Sequence, residues 1–407
     1  MPFQNKSLPQ ENCMTSRRQL LTQSAALVGA ASSGLWLPAH AQNSKLRIGL
    51  MLPYTGTFTQ LGVAIDNGFR MALQEAGGKV GGREVEFFKV DDESEPSKGV
   101  ENANKLVQRD KVDVLIGTVH SGVQMGIHKV ARETGVLNII PNAGMHAATR
   151  ALCAPNVFRT SFTNGQPTQA LGKVMVEKGH KKAVWITWKY AAGDEAGESF
   201  KESYTAAGGT IVKELGLPFP NVEFQALLTE IASIKPDAVA CFFSGGGAAK
   251  FIRDYAAAGL KGKIPLYGSG FLTEGLLDDE LAPSAQGIMT TLHYSASLQS
   301  KRNDAFRLAY AKTYKMQPDV FAVQGYDAGL LLLQGASAVK GDLSNKKALY
   351  AAMEGAVIDS PRGKWTMSKA HNPVQDMYLR VVQGKENKVL GVAAKALSDS
   401  GAGCKLV

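Results

Sequence analysis

Two polar stretches of the sequence could do chemistry, and each has a structural alternative. The run from Asp91 to Glu95 follows an apolar stretch, and an oxygen-rich loop of this kind can bind a hard cation. After a strand, such a run is more often a solvated turn whose carboxylates accept hydrogen bonds from backbone N–H groups. His120 and Ser121 are neighbours in the chain, but a catalytic pair needs facing side chains and a third, orienting group. We therefore predict a turn at the first stretch and no catalytic pair at the second.

The usual signatures of catalysis and of cofactor binding are missing. The sequence contains no Gly-x-Ser-x-Gly, His-Glu-x-x-His, Cys-x-x-Cys or phosphate-loop motif. The run from Ser244 to Gly247 (Ser-Gly-Gly-Gly) lacks the dinucleotide-loop spacing, because Lys250 stands where the last glycine belongs. This run is either a helix N-terminus open to an anion or a close-packed ligand, or a tight turn between a strand and a helix. We predict a protein that is not an enzyme and that uses no metal and no cofactor.

The elements that position these residues alternate between apolar runs and segments of helical periodicity. Strands are predicted over 46–52, 84–90, 112–117 and 136–140, with helices between them, and the pattern then restarts. The second unit has predicted strands over 183–188, 210–215, 237–243 and 264–267. Long helices over 303–314, 321–338 and 346–354 follow. This order predicts an α/β protein with two doubly wound parallel-sheet lobes and a central cleft for a ligand.

Composition agrees with a folded, two-domain chain. The 407 residues are 44% hydrophobic and 20% charged, which excludes most disordered proteins, and the length exceeds what one core usually supports. The formal net charge is +9, but the lysines are dispersed among acidic residues and form no stripe interleaved with aromatic residues. We therefore expect no nucleic-acid partner.

The first part of the chain is typical of an export signal. Arg17 and Arg18 precede a mildly apolar run over 25–37, and small residues at Ala39 and Ala41 suit a signal peptidase. We predict a twin-arginine-like signal over 1–41, with the general secretory route as the alternative, and therefore a periplasmic protein. Removing this segment lowers the net charge to +7. No other stretch is long and apolar enough to span a membrane.

Export places the cysteines in an oxidising compartment. Cys13 leaves with the signal, and Cys241 lies in an apolar run where it is expected to be a small core residue. Cys153 and Cys404 both lie in turn-rich surroundings. We predict that these two form a disulfide that ties down the C-terminal tail.

Several stretches together resemble one family, the periplasmic solute-binding proteins of branched-chain amino-acid-type (Leu/Ile/Val-binding-like) ABC transporters, which have the type I periplasmic-binding fold. The stretches that carry the resemblance span nearly the whole mature chain: Leu52-Pro53-Tyr54-Thr55-Gly56, Asn67-Gly68, the run from Gly77 to Arg83, the run from Asp91 to Pro96, Val114-Leu115-Ile116-Gly117, Ser121-Gly122, Val157-Phe158-Arg159-Thr160 and Gly325-Tyr326-Asp327-Ala328.

The resemblance implies two lobes, joined by three crossings, that close like a hinge on a small ligand and then dock on a membrane permease served by an ATPase. It implies lobe one over 45–160 and 292–371, lobe two over 161–291 and 372–393, and a tail over 394–407. A monomer with no membrane-spanning segment is expected.

Ligand-binding residues also follow from the resemblance. Ser121, with His120 beside it, matches the serine that opens a helix and binds the ligand carboxylate together with adjacent backbone N–H groups. The loop of Asn142, Ala143 and Gly144 matches a second contact, although Gly144 stands where the family has a threonine. Wall positions of the two lobes correspond to Leu61 and Tyr190.

The main departure from the family lies in lobe two. Amino-acid binders have a glutamate there that pairs with the ligand ammonium, whereas this chain has Gly268-Ser269-Gly270-Phe271. A buried ammonium without a partner costs several kcal/mol, so a carboxylate without an α-ammonium is indicated. The glycines at 245–247 and 270 leave room for a flat or bulky body, and Ser244 beside them is a further expected ligand-binding residue. Phe271 and Tyr190, with Tyr54 or Phe58 as further candidates, could face an aromatic ring. A benzoate- or phenylpropanoid-type acid is the leading hypothesis.

Three alternatives stay open. An amino acid could bind if Glu274 or Asp194 reached its ammonium. The same fold could present its ligand to a membrane receptor as a sensor. An exported hydrolase that uses Ser121 is the third alternative, but the sequence indicates no base for it.

Overall fold

The computed structural model describes residues 1–2 and 45–407, so the predicted export signal lies almost wholly outside the described residues. Residues Lys45–Val407 form one compact unit. Within the described part of the chain, no helix has the length and apolar character needed to cross a membrane.

The first sheet has six strands in the order β2-β3-β1-β4-β5-β6. All neighbours pair in parallel except β2 and β3, which form a short antiparallel hairpin. The central strand β1 is almost entirely buried, as expected of a parallel strand covered on both faces. The strand bounds are β1 Leu46–Leu52, β2 Lys79–Val80, β3 Arg83–Asp91, β4 Val114–Ile116, β5 Leu137–Ile140 and β6 Val157–Arg159.

Helices on this sheet come from two distant parts of the chain. One set follows the strands: Thr59–Glu75, Gly99–Asn104 with a π-helical turn Lys105–Arg109, and Ser121–Thr134. The other set is Lys301–Tyr314, Val320–Ala338 and Lys346–Glu354. Thr59–Glu75 and Val320–Ala338 cross closely because Gly68 and Gly325 lack side chains. A Cβ atom on either glycine would collide with a carbonyl oxygen of the opposite helix.

The second sheet has the order β12-β13-β14-β11-β10-β9-β7-β8, with β15 paired to β14. Strands β7 to β11 are parallel, whereas β12 to β15 pair antiparallel. Four longer helices accompany this sheet: Gly165–Glu177, Ala191–Ala206, Gln225–Ile234 and Gly245–Ala257. The strands are β7 Lys182–Lys189, β8 Thr210–Pro218, β9 Ala238–Phe242, β10 Leu266–Ser269, β11 Met289–Leu292, β12 Val357–Ser360, β13 Gly363–Met367, β14 Pro373–Gln383 and β15 Glu386–Leu397.

The predicted fold class of two doubly wound α/β lobes is confirmed, with one addition. The antiparallel strands β12 to β15 are not among the elements predicted from periodicity. They add an antiparallel edge to an otherwise parallel sheet, as is common in large sheets. Strand β15 also runs to Leu397, so the segment 394–407, expected to be a tail, begins as a strand.

Buried arginines hold the segments that connect the two sheets. Arg159 donates hydrogen bonds to Asn372 Oδ1 (2.7 Å) and to the carbonyl of Ala143 (3.0 Å). Arg362 donates to the carbonyls of Thr160 and Ser161, the two residues that leave the first sheet. Because both side chains are buried, these bonds fix the backbone where the chain passes from one sheet to the other.

In the structure, Cys153 and Cys404 form the disulfide expected from the sequence, with an S–S distance of 2.06 Å and Cα atoms 5.4 Å apart. Cys241 is a free, buried thiol in β9. An ion pair between Arg150 and Asp399 (2.7 Å) also fastens the C-terminal segment to the first sheet's loops.

Candidate functional site

A narrow cavity lies where the carboxyl ends of the two sheets meet. None of the fourteen lining side chains is charged. They are Phe58, Leu61, Val119, Ser121, Asn142, Gly144, Phe162, Asn164, Tyr190, Ala192, Phe242, Ser244, Phe271 and Phe321.

Strand ends supply most of this lining, as the topology of open parallel sheets requires. Ser121 begins the helix after β4, and Asn142 and Gly144 follow β5. From the other sheet, Tyr190 follows β7 and Ser244 follows β9. The cavity therefore collects residues from both doubly wound units.

Aromatic rings form much of the wall. Phe271 contacts Phe162 with ring centroids 4.7 Å apart, Phe321 at 5.9 Å and Phe242 edge-on at 6.4 Å. These contacts are tilted, stacked and edge-on respectively, and offset-stacked and edge-on contacts are the arrangements that aromatic rings prefer. Such a wall offers apolar faces and edges to a flat, apolar ligand body.

At one end of the cavity, Ser121 and Gly144 present hydrogen-bond donors. Asn164 Nδ2 donates to Ser121 Oγ at 3.3 Å, so the hydroxyl hydrogen of Ser121 remains available to donate. The backbone N–H groups of Ser121 and Gly144 donate no hydrogen bond to any described residue. A ligand carboxylate would accept charge-assisted hydrogen bonds from such donors.

The position of Gly144 explains why no threonine is possible there. A Cβ atom on Gly144 would collide with Asn164 Oδ1 and would come within 2.9 Å of the Phe162 ring. The space that the family gives to a threonine side chain is thus occupied by Asn164 and Phe162.

A partly buried carboxylate orients Asn164. Glu195 accepts one hydrogen bond from Asn164 Nδ2 (2.8 Å) and others from the backbone N–H of His146 (2.9 and 3.0 Å). Burial raises the pKa of Glu195. Because both amide hydrogens of Asn164 are used, its orientation is fixed, and Ser121 can only accept from it. Glu195 itself does not line the cavity.

His120 lies behind the wall and caps a helix. Its Nδ1 accepts hydrogen bonds from the backbone N–H groups of Gly122 (3.1 Å) and Val123 (3.4 Å). Burial lowers the pKa of His120 to about 4, so the ring is neutral at neutral pH. Two N–H groups expected to serve the carboxylate are therefore already used. The imidazole also points to the backbone, so it forms no catalytic pair with Ser121.

Tyr190 stacks on the His120 ring with centroids 5.0 Å apart and lines the cavity. Its hydroxyl has no hydrogen-bond partner among residues 1–2 and 45–407, and burial raises its pKa, so it stays protonated.

The side chain of Asn142 is held by its neighbours. Its Nδ2 donates a hydrogen bond to Gln324 Oε1 at 2.6 Å, and Gln324 Nε2 lies 3.2 Å from His293 Nε2.

The carboxylates that could pair with a ligand ammonium are engaged elsewhere. Glu274 forms an ion pair with Arg380 (2.7 Å) and accepts a hydrogen bond from the backbone N–H of Val320 (2.9 Å). Asp194 is half exposed and lies 3.9 Å from Lys189. Neither residue lines the cavity.

Four residues expected at the site do not line the cavity. His120 lies behind Tyr190, and Ala143 holds its loop by donating to the carbonyl of Thr118 at 2.9 Å. Gly246 faces a larger, open groove next to the cavity. Gly270 accepts a hydrogen bond from Arg380 at 2.9 Å and thereby positions the turn that carries Phe271. The further candidate Tyr54 is also outside the lining, where its hydroxyl donates to Asp66 (3.1 Å).

The structure brings together the other seven expected residues, which are Leu61, Ser121, Asn142, Gly144, Tyr190, Ser244 and Phe271, and the further candidate Phe58. Sequence reasoning missed the rest: Val119, Phe162, Asn164, Ala192, Phe242 and Phe321. Val119, Ala192 and Phe242 lie within two residues of a predicted site residue, so proximity to strand ends was a usable signal. Asn164 and Phe162 had no such signal, because they lie on a connection between the sheets.

The acidic run after β3 forms a turn. Asp91 accepts hydrogen bonds from the backbone N–H groups of Tyr54 (2.8 Å) and Glu93 (2.9 Å). Asp92 accepts from Ser94 N–H (2.8 Å) and from the hydroxyl of Thr118. No group of three or more His, Cys, Asp or Glu residues in the described ranges is arranged to hold a metal ion.

Comparison with solved structures finds close matches over the described unit. A solute-binding protein of an ABC transporter from R. palustris, in complex with benzoate, is 54% identical with a TM-score of 0.87, covering 89% of this chain and 100% of that one. A second solute-binding protein, from Rhodopseudomonas palustris BisB5 in complex with 3,4-dihydroxy benzoic acid, is 31% identical with a TM-score of 0.83. This match covers 88% of this chain and 99% of that one.

Curated relatives agree with these structures. Leu/Ile/Val-binding protein homolog 6 of Brucella melitensis is 28% identical over 345 residues, which cover 83% of this chain and 87% of that protein. The resemblance found in the sequence is thereby confirmed. The periplasmic binding protein family matches residues 45–387, and the chain belongs to that family.

Proposed function

We propose that this protein captures an aromatic carboxylate, such as a benzoate or phenylpropanoid derivative, and delivers it to the permease of an ABC importer. One observation carries the proposal. The cavity has an aromatic wall, donors for a carboxylate at Ser121 and Gly144, and no charged side chain in its lining. Two similar solute-binding proteins were solved in complex with benzoate and with a dihydroxybenzoate, which supports it.

Electrostatics separates an aromatic acid from an amino acid. The carboxylate of either ligand would gain hydrogen bonds to ionised oxygen, each of which contributes about 1.5–3 kcal/mol. The ammonium of an amino acid would be buried without a carboxylate partner, at a cost of several kcal/mol. Glu274 and Asp194 do not offset this cost, because neither lines the cavity and both lie near other cations.

Capture and delivery follow from the two-lobed form. The lobes, over 45–160 with 292–371 and over 161–291 with 372–393, would close on the ligand by hinge motion and present the closed form to the permease and its ATPase. Export to the periplasm by the signal at 1–41 and action as a monomer belong to the same proposal.

A thermal-shift panel tests the ligand class. Benzoate and 4-hydroxybenzoate are compared with leucine, isoleucine and valine, each at 1 mM. Stabilisation grows as RT ln(1 + [L]/Kd), so an acid with micromolar Kd adds about 4 kcal/mol of unfolding free energy. We expect stabilisation by the aromatic acids. Stabilisation by the branched-chain amino acids alone would contradict the proposal and favour an amino-acid binder, as the names of the curated relatives suggest.

A further inference from the structure

We propose that Ser244 and the first turn of the helix Gly245–Ala257 form a second polar subsite that takes a hydroxyl group on the aromatic ring. The preferred ligand is then a hydroxylated benzoate rather than benzoate itself. This inference rests on the proposed function, because it assumes that an aromatic acid occupies the cavity.

The hydroxyl of Ser244 is buried and unused. Ser244 is 5% exposed and lines the cavity, and its Oγ has no hydrogen-bond partner among the described residues. A buried hydroxyl left without a partner is costly, so native structures rarely leave one unless a ligand or water completes it.

Ser244 does not cap the helix that follows it. Ser244 and Ser300 both precede a helix in extended conformation, at φ −150°, ψ 160° and φ −149°, ψ 145°. Ser300 caps its helix by accepting a hydrogen bond from Asn303 N–H at 3.1 Å. Ser244 makes no such bond, although serine at this position normally does. The left-handed φ of Gly245 (+58°) makes this helix start irregular, so the hydroxyl of Ser244 stays unused in the cavity lining.

The helix after Ser244 is also uncapped, and its residues Gly245 and Gly246 line the neighbouring groove. The backbone N–H groups of Gly245, Gly246 and Gly247 donate no hydrogen bond within the described part of the chain. The helix runs for 13 residues, so its N-terminus carries the partial positive charge of the helix dipole. An oxygen atom placed beside Ser244 would therefore be favoured.

This subsite and the donors at Ser121 have different neighbours across the cavity. A Cβ atom on Gly245 would lie 3.0 Å from the carbonyl oxygen of Thr57 and 3.7 Å from the Leu61 side chain. Ser121 instead contacts Asn164. The rings of Phe271 and Phe242 meet edge-on in the wall of the cavity that both Ser121 and Ser244 line. With the carboxylate of an aromatic acid at Ser121, we assign Ser244 to a substituent elsewhere on the ring.

The substituent at this subsite is neutral. The carboxylate at Ser121 already brings one negative charge into the cavity, and a second carboxylate would add a like charge with no cationic side chain in the lining. A phenolic hydroxyl has one donor and acceptor lone pairs, which match the hydroxyl of Ser244 and the helix N–H groups. When benzoate binds, the hydroxyl of Ser244 and the helix N–H groups stay unpaired. A hydroxylated benzoate pairs with them and is therefore bound more tightly than benzoate.

Titration calorimetry with three ligands and two variants tests the subsite. The ligands are benzoate, 4-hydroxybenzoate and 4-methylbenzoate, which resembles 4-hydroxybenzoate in size but lacks the hydroxyl. The variants are Ser244→Ala and the capping control Ser300→Ala. We expect the unaltered protein to bind 4-hydroxybenzoate at least about threefold more tightly than benzoate, and Ser244→Ala to abolish that preference.

Stability provides a second measurement. Ser244→Ala should not lower the melting temperature of the ligand-free protein, because it removes a buried hydroxyl without a partner and no capping bond is lost. Ser300→Ala should lower it and leave the ligand preference intact.

Equal binding of benzoate and 4-hydroxybenzoate by the unaltered protein would overturn the subsite. An unchanged preference in Ser244→Ala would do the same. Absence of binding by all three acids would instead refute the proposed function, so the two failures are distinguishable.

Discussion

Replacing Ser121 with alanine should weaken aromatic-acid binding and leave the fold almost unchanged. Ser121 Oγ accepts a hydrogen bond from Asn164, which leaves its own hydrogen to donate to the ligand carboxylate. Helix capping does not depend on Ser121, because the His120 ring accepts the bonds from Gly122 and Val123. The substitution therefore removes a ligand contact without removing a cap.

The size of the effect follows from the kind of hydrogen bond. A hydrogen bond to a charged group contributes about 1.5–3 kcal/mol, which corresponds to about a 10- to 150-fold change in Kd. The backbone N–H groups of Ser121 and Gly144 remain in the variant, so we expect the lower part of this range, about 10- to 30-fold.

Titration calorimetry with benzoate measures this change, and Ser269→Ala is the matched control. Ser269 is also a fully buried serine, but its Oγ has no hydrogen-bond partner in the described part of the chain and it does not line the cavity. Its removal should leave the Kd within about twofold. Unchanged benzoate affinity in Ser121→Ala, or an equal loss in both variants, would show that the carboxylate does not bind at Ser121.

Two further predictions concern the disulfide and the pH dependence of stability. Thiol labelling of the denatured protein should find two more reactive cysteines after reduction than before, since Cys153 and Cys404 are paired, and no difference would contradict the pairing. Burial and the nearby charge of Glu274 raise the pKa of Asp319 to about 7 from its usual value near 4. Protonated Asp319 therefore stabilises the fold at low pH, and this stabilisation is lost as pH rises from about 4 to 7. The variant Asp319→Asn keeps an oxygen that can cap the helix but has no carboxyl group to titrate. Between pH 5 and 8 its free energy of unfolding in urea should therefore fall less than that of the unaltered protein. Parallel pH profiles for the two proteins would contradict this.

Strong periodicity made most of the fold predictable. The helix Lys346–Glu354 and the strand Leu46–Leu52 occur with the predicted bounds. In each segment the apolar residues follow the period of that element without interruption. Strand β14 was missed for a physical reason: two of its inward positions are Gln375 and Arg380, which are buried. Polar residues at inward positions break the apolar alternation by which a half-buried strand is predicted.

The candidate site was predictable only where it follows strand ends. Ser121, Asn142 and Ser244 were found because parallel topology places the ends of their strands at one edge. Asn164 and Glu195 could not be found, since their roles depend on contacts between residues 31 and 43 positions apart in the chain. Contacts of that kind are determined by tertiary packing rather than by local pattern.

The central claim is that the cavity between the two sheets holds an aromatic acid with its carboxylate at Ser121. A crystal structure of the complex with 4-hydroxybenzoate tests this most directly. We predict the carboxylate within hydrogen-bond distance of Ser121 Oγ and of the Gly144 N–H, with the ring against Phe271 and the phenolic oxygen at Ser244. Density for the ligand outside this cavity, or with its carboxylate at Ser244, would contradict the account.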